Sequence, residues 1–250
     1  MVQIFKKKMN FNFKNRTVIV TGGEGGIGQS ISEKFIKFGA NVIITTRNKN
    51  KLNTKSKKNH FIYLDFNDEN SINDFLYNIK KFKKIDILIN NAGINKLSNI
   101  DKIEKNFLEK IYKVNLRGPI LLTNQISKKM IKRKFGRIIN ISSIFGVVSK
   151  SGRSLYSTTK FGLIGLTKSS ALDLAKYNIL VNSVSPGVIK TKLTKSILSS
   201  KQLSKIRQDI PLKKLGDVSD VSNLVCFLCS ELNNYITGQN FIVDGGYTAK

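Results

Sequence analysis

The chain has 250 residues, enough for one compact domain, and 40% of them are apolar, too many for a disordered polypeptide. Forty-three basic residues against sixteen acidic ones give a formal charge of +27, but 36 of the bases are Lys and 7 are Arg, scattered rather than gathered, which argues for a solvated lysine-rich surface and against specific nucleic-acid readout by Arg forks in one patch. No apolar run reaches the length of a membrane span, two cysteines cannot build a disulfide scaffold, and the one histidine, His60, excludes a His-rich metal site and argues against a Ser-His-Asp hydrolase.

Residues 1–10 read as a frayed N-terminal extension. They carry Lys6, Lys7 and Lys8 but no apolar h-region, so no signal peptide is expected and the chain reads as cytoplasmic. Residues 11–250 read as a single domain, with neither linker nor internal repeat. Seven short runs rich in Val and Ile follow one another: Thr17 to Thr21, Asn41 to Thr46, Phe61 to Asp65, Ile85 to Asn90, Arg137 to Ser142, Leu180 to Val184 and Phe241 to Val243. Their nearly continuous apolar character is that of strands buried on both faces of a parallel sheet. Stretches with helical spacing lie between them, such as Ile27-Ile31-Phe35-Phe38 and Leu163-Leu166-Ala171-Leu174. The alternation predicts a doubly wound α/β fold with strand order 3-2-1-4-5-6-7. The stretch from Lys190 to Gly216 has weak periodicity and reads as a mobile flap over a site.

The first strand runs into Thr21-Gly22-Gly23-Glu24-Gly25-Gly26-Ile27-Gly28. Such a strand-to-helix turn needs conformations that glycine adopts cheaply, and it lets a pyrophosphate approach backbone amides at a helix N-terminus. At the end of the second strand, Thr46 and Arg47 stand where an NAD-binding fold places a carboxylate for the ribose hydroxyl. A guanidinium there pairs with a 2′-phosphate, so NADP(H) is the expected cofactor and NAD(H) the alternative. Glu24 opposes that reading. Asp65, ending the third strand, is placed to accept from an adenine amino group, and Asn91-Ala92-Gly93, ending the fourth, lets the chain pass close to the cofactor. Ser142 and Ser143 end the fifth strand. Tyr156 and Lys160 lie four apart, on one face of a helix. A lysine cation favours phenolate, so Tyr156 becomes a general acid or base nearer neutral pH, while Ser143 holds the substrate oxygen. Arg153, three residues before Tyr156, is either solvated or meets an anionic substrate group. Cys226 and Cys229 form a C-x-x-C inside an apolar helical stretch, where core packing is the expected role.

Taken together, these motifs resemble the short-chain dehydrogenase/reductase family of the single-domain type. The likeness rests on T-G-x-x-x-G-x-G at Thr21 to Gly28, N-N-A-G at Asn90 to Gly93, the Ser143, Tyr156 and Lys160 set, and P-G-x-x-x-T at Pro186, Gly187 and Thr191. It implies Asn115 as a fourth catalytic residue beside Ser143, Tyr156 and Lys160, and Ile189 and Thr191 against a nicotinamide carboxamide. The cofactor set so implied is Thr21, Gly22, Gly23, Gly26, Ile27, Gly28, Arg47, Asn48, Asp65, Phe66, Asn91, Ala92, Gly93, Tyr156, Lys160, Pro186, Gly187, Ile189 and Thr191. The substrate set is Ser143, Arg153 and Tyr156, and no metal is expected.

Within the family the chain is most similar to the 3-oxoacyl-acyl-carrier-protein reductases, in Gly136 to Ser143 and in Tyr235 to Gln239 followed by Asp244-Gly245-Gly246. It departs from them at Gly25, where they carry a base for the 2′-phosphate, and in Ser149 to Arg153, which lacks their small uncharged character. Of two basic positions that such reductases turn to the carrier protein, one is Lys134 and the other falls on Tyr177, beside Lys176. The resemblance implies NADP-dependent reduction of a small or carrier-bound carbonyl compound, a homotetramer with Phe241 to Gly246 near an interface, and a role in fatty-acid synthesis. A sugar or sugar-nucleotide dehydrogenase of the same family is the alternative enzyme. A lysine-rich nucleic-acid-binding protein without catalysis is the alternative of another class. No membrane partner is expected.

Overall fold

The computed structural model describes residues 11–53 and 59–249; the expected N-terminal extension, residues 1–10, lies outside them. Seven parallel strands form one sheet in the order β3-β2-β1-β4-β5-β6-β7. They are β1 (Thr17–Val20), β2 (Asn41–Thr46), β3 (Asn59–Tyr63), β4 (Ile87–Asn90), β5 (Gly136–Ile141), β6 (Ile179–Pro186) and β7 (Asn240–Val243). Alternate residues of the central strands enter opposite cores, as the period of two requires. Val18, Val42 and Ile87 meet α1 (Gly26–Lys37) and α8 (Val218–Cys229) on one face. Ile19, Ile43 and Leu88 meet α2 (Glu69–Asn78), α4 (Gly118–Arg133) and α5 (Ser154–Leu174) on the other. Cys226 and Cys229 are free and buried in the first core, where burial pushes the Cys226 thiol up to about 12. They are packing residues, as their apolar neighbours suggest.

The order of the sheet reverses at β1, which pairs with β2 on one side and β4 on the other. Loops leaving the carboxyl ends of β1 and β4 therefore part in opposite directions and open a crevice. The chain beyond β6 differs from its sequence reading. Its weak periodicity conceals two helices, α6 (Lys192–Ile197) and α7 (Ser200–Asp209), and Lys192, Leu193 and Thr194 line the cleft described below. Their start signals are local. Thr191 caps α6 by accepting from the Thr194 amide, and Ser199 with Gln202 forms a reciprocal capping box on α7.

Candidate active site

A cleft of about 430 Å³ lies along the carboxyl ends of β1, β2, β4, β5 and β6. Its glycine-rich end is built for an anion. Gly22 and Gly26 take φ values of 59° and 54°, a region that residues with a side chain enter at a cost. Gly25 caps α1 with no side-chain hydrogen bond, and no acidic residue stands in the first turn. The first amides of α1 therefore keep their donors for a ligand phosphate. Thr21 ties this loop to the next strand: its Oγ1 accepts from the amides of Asn91 and Ala92, both at 2.9 Å. Asn91 Nδ2 in turn donates to the carbonyls of Thr21 and Gly22.

Gly28 packs beneath that junction. A Cβ there would stand 2.4 Å from Asn91 Nδ2 and 2.4 Å from the Gly22 carbonyl oxygen. Gly28→Ala is expected to displace the loop, costing about 1–3 kcal/mol in stability and weakening NADPH binding by roughly tenfold or more. Thermal unfolding and a fluorescence titration with NADPH check this; an unchanged melting point with unchanged affinity would show that the junction can move freely.

At the far end of β2 Glu24 is tied to Thr46 and Lys51. Glu24 Oε2 accepts from Thr46 Oγ1 at 2.6 Å and pairs with Lys51 Nζ at 3.4 Å. Arg47 is exposed and lines the cleft beside them. The carboxylate that opposes a 2′-phosphate is thus partly neutralised by a lysine that the sequence reading did not single out. Asp65 also lines the cleft, its Oδ1 accepting from the Asn67 amide and side chain.

The opposite end holds the serine, tyrosine and lysine. Ser143 follows β5 and accepts from the Phe145 amide at 3.1 Å. Tyr156 and Lys160 lie on α5, with Lys160 Nζ 5.6 Å from the centre of the Tyr156 ring. Tyr156 stands beside Ser143, whose hydroxyl favours its phenolate. Lys160 is buried and donates to the Ile141 carbonyl at 2.9 Å. Burial pushes the Lys160 ammonium down to about 8. Burial also raises the Tyr156 phenol, and it outweighs the lowering by Ser143 and by the Arg153 charge. The sequence reading expected the lysine to set the phenol below its ordinary value. In the closed surroundings of α5, loss of water is the larger effect.

Asn115 reaches this end from a π turn, Lys113–Arg117, between α3 (Lys105–Tyr112) and α4. Pro119 has no N–H to return to the Asn115 carbonyl, and the Gly118 amide bonds back to the Lys113 carbonyl instead. The Asn115 side chain both accepts from the Ile94 amide and donates to the Ile94 carbonyl. A Cβ on Gly93 would stand 3.6 Å from both Asn115 Oδ1 and Lys160 Nζ. Asn115, Gly93 and Lys160 therefore converge on one point.

Of the residues expected at the cofactor, Gly22, Gly26, Ile27, Arg47, Asp65, Phe66, Asn91, Ala92, Gly93, Tyr156, Lys160, Pro186, Gly187, Ile189 and Thr191 line the cleft, and Ser143 joins them. Thr21, Gly23, Gly28 and Asn115 are buried behind its wall, and Asn48 is exposed outside the lining. Asn48 donates its amide to Thr46 Oγ1, and Ser32 Oγ donates to the Gly23 carbonyl. Arg153 is 5% exposed and is not among the lining side chains. It lies against Phe145 and Tyr156. The sequence reading missed Leu64, Ile94, Val114 and Leu193, apolar lining residues that no motif marks.

The cradle at Gly22, Gly26 and Gly93, with an uncapped helix start and an exposed base at its far end, fits a nicotinamide dinucleotide. Comparison with known proteins agrees. The family model described as enoyl-(acyl carrier protein) reductase matches residues 22–248. The 3-oxoacyl-[acyl-carrier-protein] reductase of Aquifex aeolicus is 41% identical over 249 residues, covering 95% of this chain and 99% of that one. This chain belongs to the short-chain dehydrogenase/reductase family. As a short-chain dehydrogenase/reductase it is an NAD(P)-dependent oxidoreductase acting on carbonyl or CH–OH groups. Two solved structures resemble it over most of its length. ElxO with NADP bound is 35% identical with a TM-score of 0.86, covering 94% of this chain and 99% of that one. A 4-hydroxyisoleucine dehydrogenase complexed with NADH is 32% identical with a TM-score of 0.89, covering 94% and 100%. Among the described residues no helix is long and apolar enough to cross a membrane, and no cluster of His, Cys, Asp or Glu could hold a metal ion.

Proposed function

We propose that this chain reduces the carbonyl of a 3-oxoacyl thioester, or of a related 3-oxo compound, with NADPH. The observation that carries the reading is the gathering of Ser143, Tyr156 and Lys160 at one end of a cleft whose other end is a phosphate cradle. The likeness to 3-oxoacyl reductases supports the substrate class.

NADPH, when bound, supplies a hydride to the carbonyl carbon. Ser143 and Tyr156 then donate to the carbonyl oxygen, and charge that develops there meets two hydroxyl dipoles already in position. Tyr156 gives up its proton to that oxygen, acting as general acid. Lys160 stands by the same ring and holds the ribose, and Asn115 anchors the Ile94 turn behind it. The glycine loop holds the pyrophosphate, while Ile189 and Thr191 hold the carboxamide. Arg47 reads the 2′-phosphate. We further infer a cytosolic homotetramer, and Lys134 with Lys176, both exposed, as cations for an acidic carrier protein.

Cofactor choice is a direct test of Arg47 and of Glu24, which line the same cleft. A charge-assisted contact contributes about 1.5–3 kcal/mol, or roughly ten- to a hundredfold in affinity. NADPH is expected to win over NADH by less than that full factor, since the Glu24 carboxylate lines the same cleft as Arg47. Arg47→Asp should reverse the preference and Glu24→Ala should strengthen it. The kcat/KM values of the three proteins for both cofactors decide it: an Arg47→Asp protein that still prefers NADPH would remove Arg47 from the phosphate.

The substrate class is tested by following NADPH oxidation with acetoacetyl thioesters, keto sugars and quinones. Turnover confined to the thioesters is expected. Turnover confined to keto sugars would replace the reading with a sugar dehydrogenase.

A further inference from the structure

Tyr156 and Lys160 share one face of α5, four residues apart, and Arg153 immediately precedes the helix as its N-cap residue, three before Tyr156. The Arg153 guanidinium carbon is 5.9 Å from the centre of the Tyr156 ring, and Lys160 Nζ is 5.6 Å from the same centre. Both cations are buried, at 5% and 3% exposure. Arg153 also covers the Phe145 ring at 4.6 Å, and Phe145 meets Tyr156 edge to face. Lys150 adds a third positive charge near that phenylalanine.

Among the described residues no carboxylate forms an ion pair with any of these three. Arg153 Nε is buried with no acceptor. A buried charge is costly unless an opposite charge or a full set of hydrogen bonds meets it. The Ser143 hydroxyl also acts on the phenol, and Lys160 donates to the Ile141 carbonyl. The group here that can become an anion is the Tyr156 hydroxyl itself.

We propose that Arg153 is a second cationic partner of Tyr156, sharing with Lys160 the stabilisation of the phenolate left when the proton passes to the substrate oxygen. It acts through Tyr156 and is a positioning residue. The attraction of the Arg153 charge already lowers the phenol against the effect of burial. The inference rests on Tyr156 as the proton-transfer group, and it explains why a large charged residue can precede that tyrosine.

The test uses the reverse reaction, oxidation of a 3-hydroxyacyl thioester by NADP, in which Tyr156 must be a phenolate. The rate then rises with pH along a limb set by that group. Tyr156→Phe should abolish the limb. Arg153→Gln should move it upward by about one pH unit, the effect of a charge at this range in a partly shielded site. Arg153→Lys should restore most of the shift. NADPH affinity, measured by fluorescence, shows that each variant is folded. A limb that vanishes in Tyr156→Phe but stays put in Arg153→Gln overturns this inference alone. So does a Gln variant whose only defect is a raised KM for anionic substrates, since Arg153 would then read the substrate. A limb that persists in Tyr156→Phe overturns both the proton-donor reading and this inference.

Discussion

Turnover of the Tyr156→Phe protein will fall by roughly 100- to 10,000-fold, the usual worth of a positioned general acid, while NADPH affinity changes little. The substitution keeps the ring, and with it the edge-to-face contact with Phe145 at 6.4 Å. What goes is the hydroxyl beside Ser143. Ser143 remains to polarise the carbonyl, so the residual rate should exceed that without enzyme. Single-turnover kinetics with a 3-oxoacyl thioester, beside a fluorescence titration with NADPH, measures both halves. Near-normal turnover would show that the proton comes from elsewhere.

Lys160→Met will reduce both turnover and cofactor affinity, which separates it from the tyrosine variant. Methionine is close in length and carries no charge. The wild-type ammonium sits at about 8 because burial disfavours it. Its contribution is therefore complete below that value and is lost as pH rises through it. The sign for stability is the reverse. A lysine lowered from 10.5 to about 8 binds fewer protons folded than unfolded between those values, so stability increases with pH across that window. At pH 7 the buried cation is a cost, up to about 3 kcal/mol on the scale of 1.36 per pKa unit. The Met variant should thus melt no lower than the wild type at pH 7 while losing activity. A lower melting point with intact cofactor affinity would make Lys160 a structural residue.

The features written in local sequence were the ones read from it. β2 spans the expected Asn41–Thr46, and the strand order matches, because a parallel sheet buried on both faces gives continuous apolar runs. The glycine loop and the Asn-Ala-Gly turn were legible because close backbone approaches leave few alternatives to glycine. What escaped depends on partners distant in the chain. The Glu24 bond to Thr46 joins residues 22 apart, and neither residue alone announces it. The burial of Arg153 follows from how Phe145 and α5 meet, so solvent and substrate remained equal choices from sequence. The helices after β6 are a different case. Their caps at Thr191 and Ser199 were readable, but the apolar spacing of Leu193, Ile197, Leu203 and Ile206 is too sparse to mark a buried face.

The most direct measurement follows the label from NADPH deuterated at the transferred position of nicotinamide C4. With an acetoacetyl thioester, the account predicts one 3-hydroxybutyryl thioester formed per NADPH consumed, with deuterium on carbon 3 and the hydroxyl proton from solvent. An enzyme that leaves this thioester untouched, or that instead saturates the double bond of a crotonyl thioester, would contradict it.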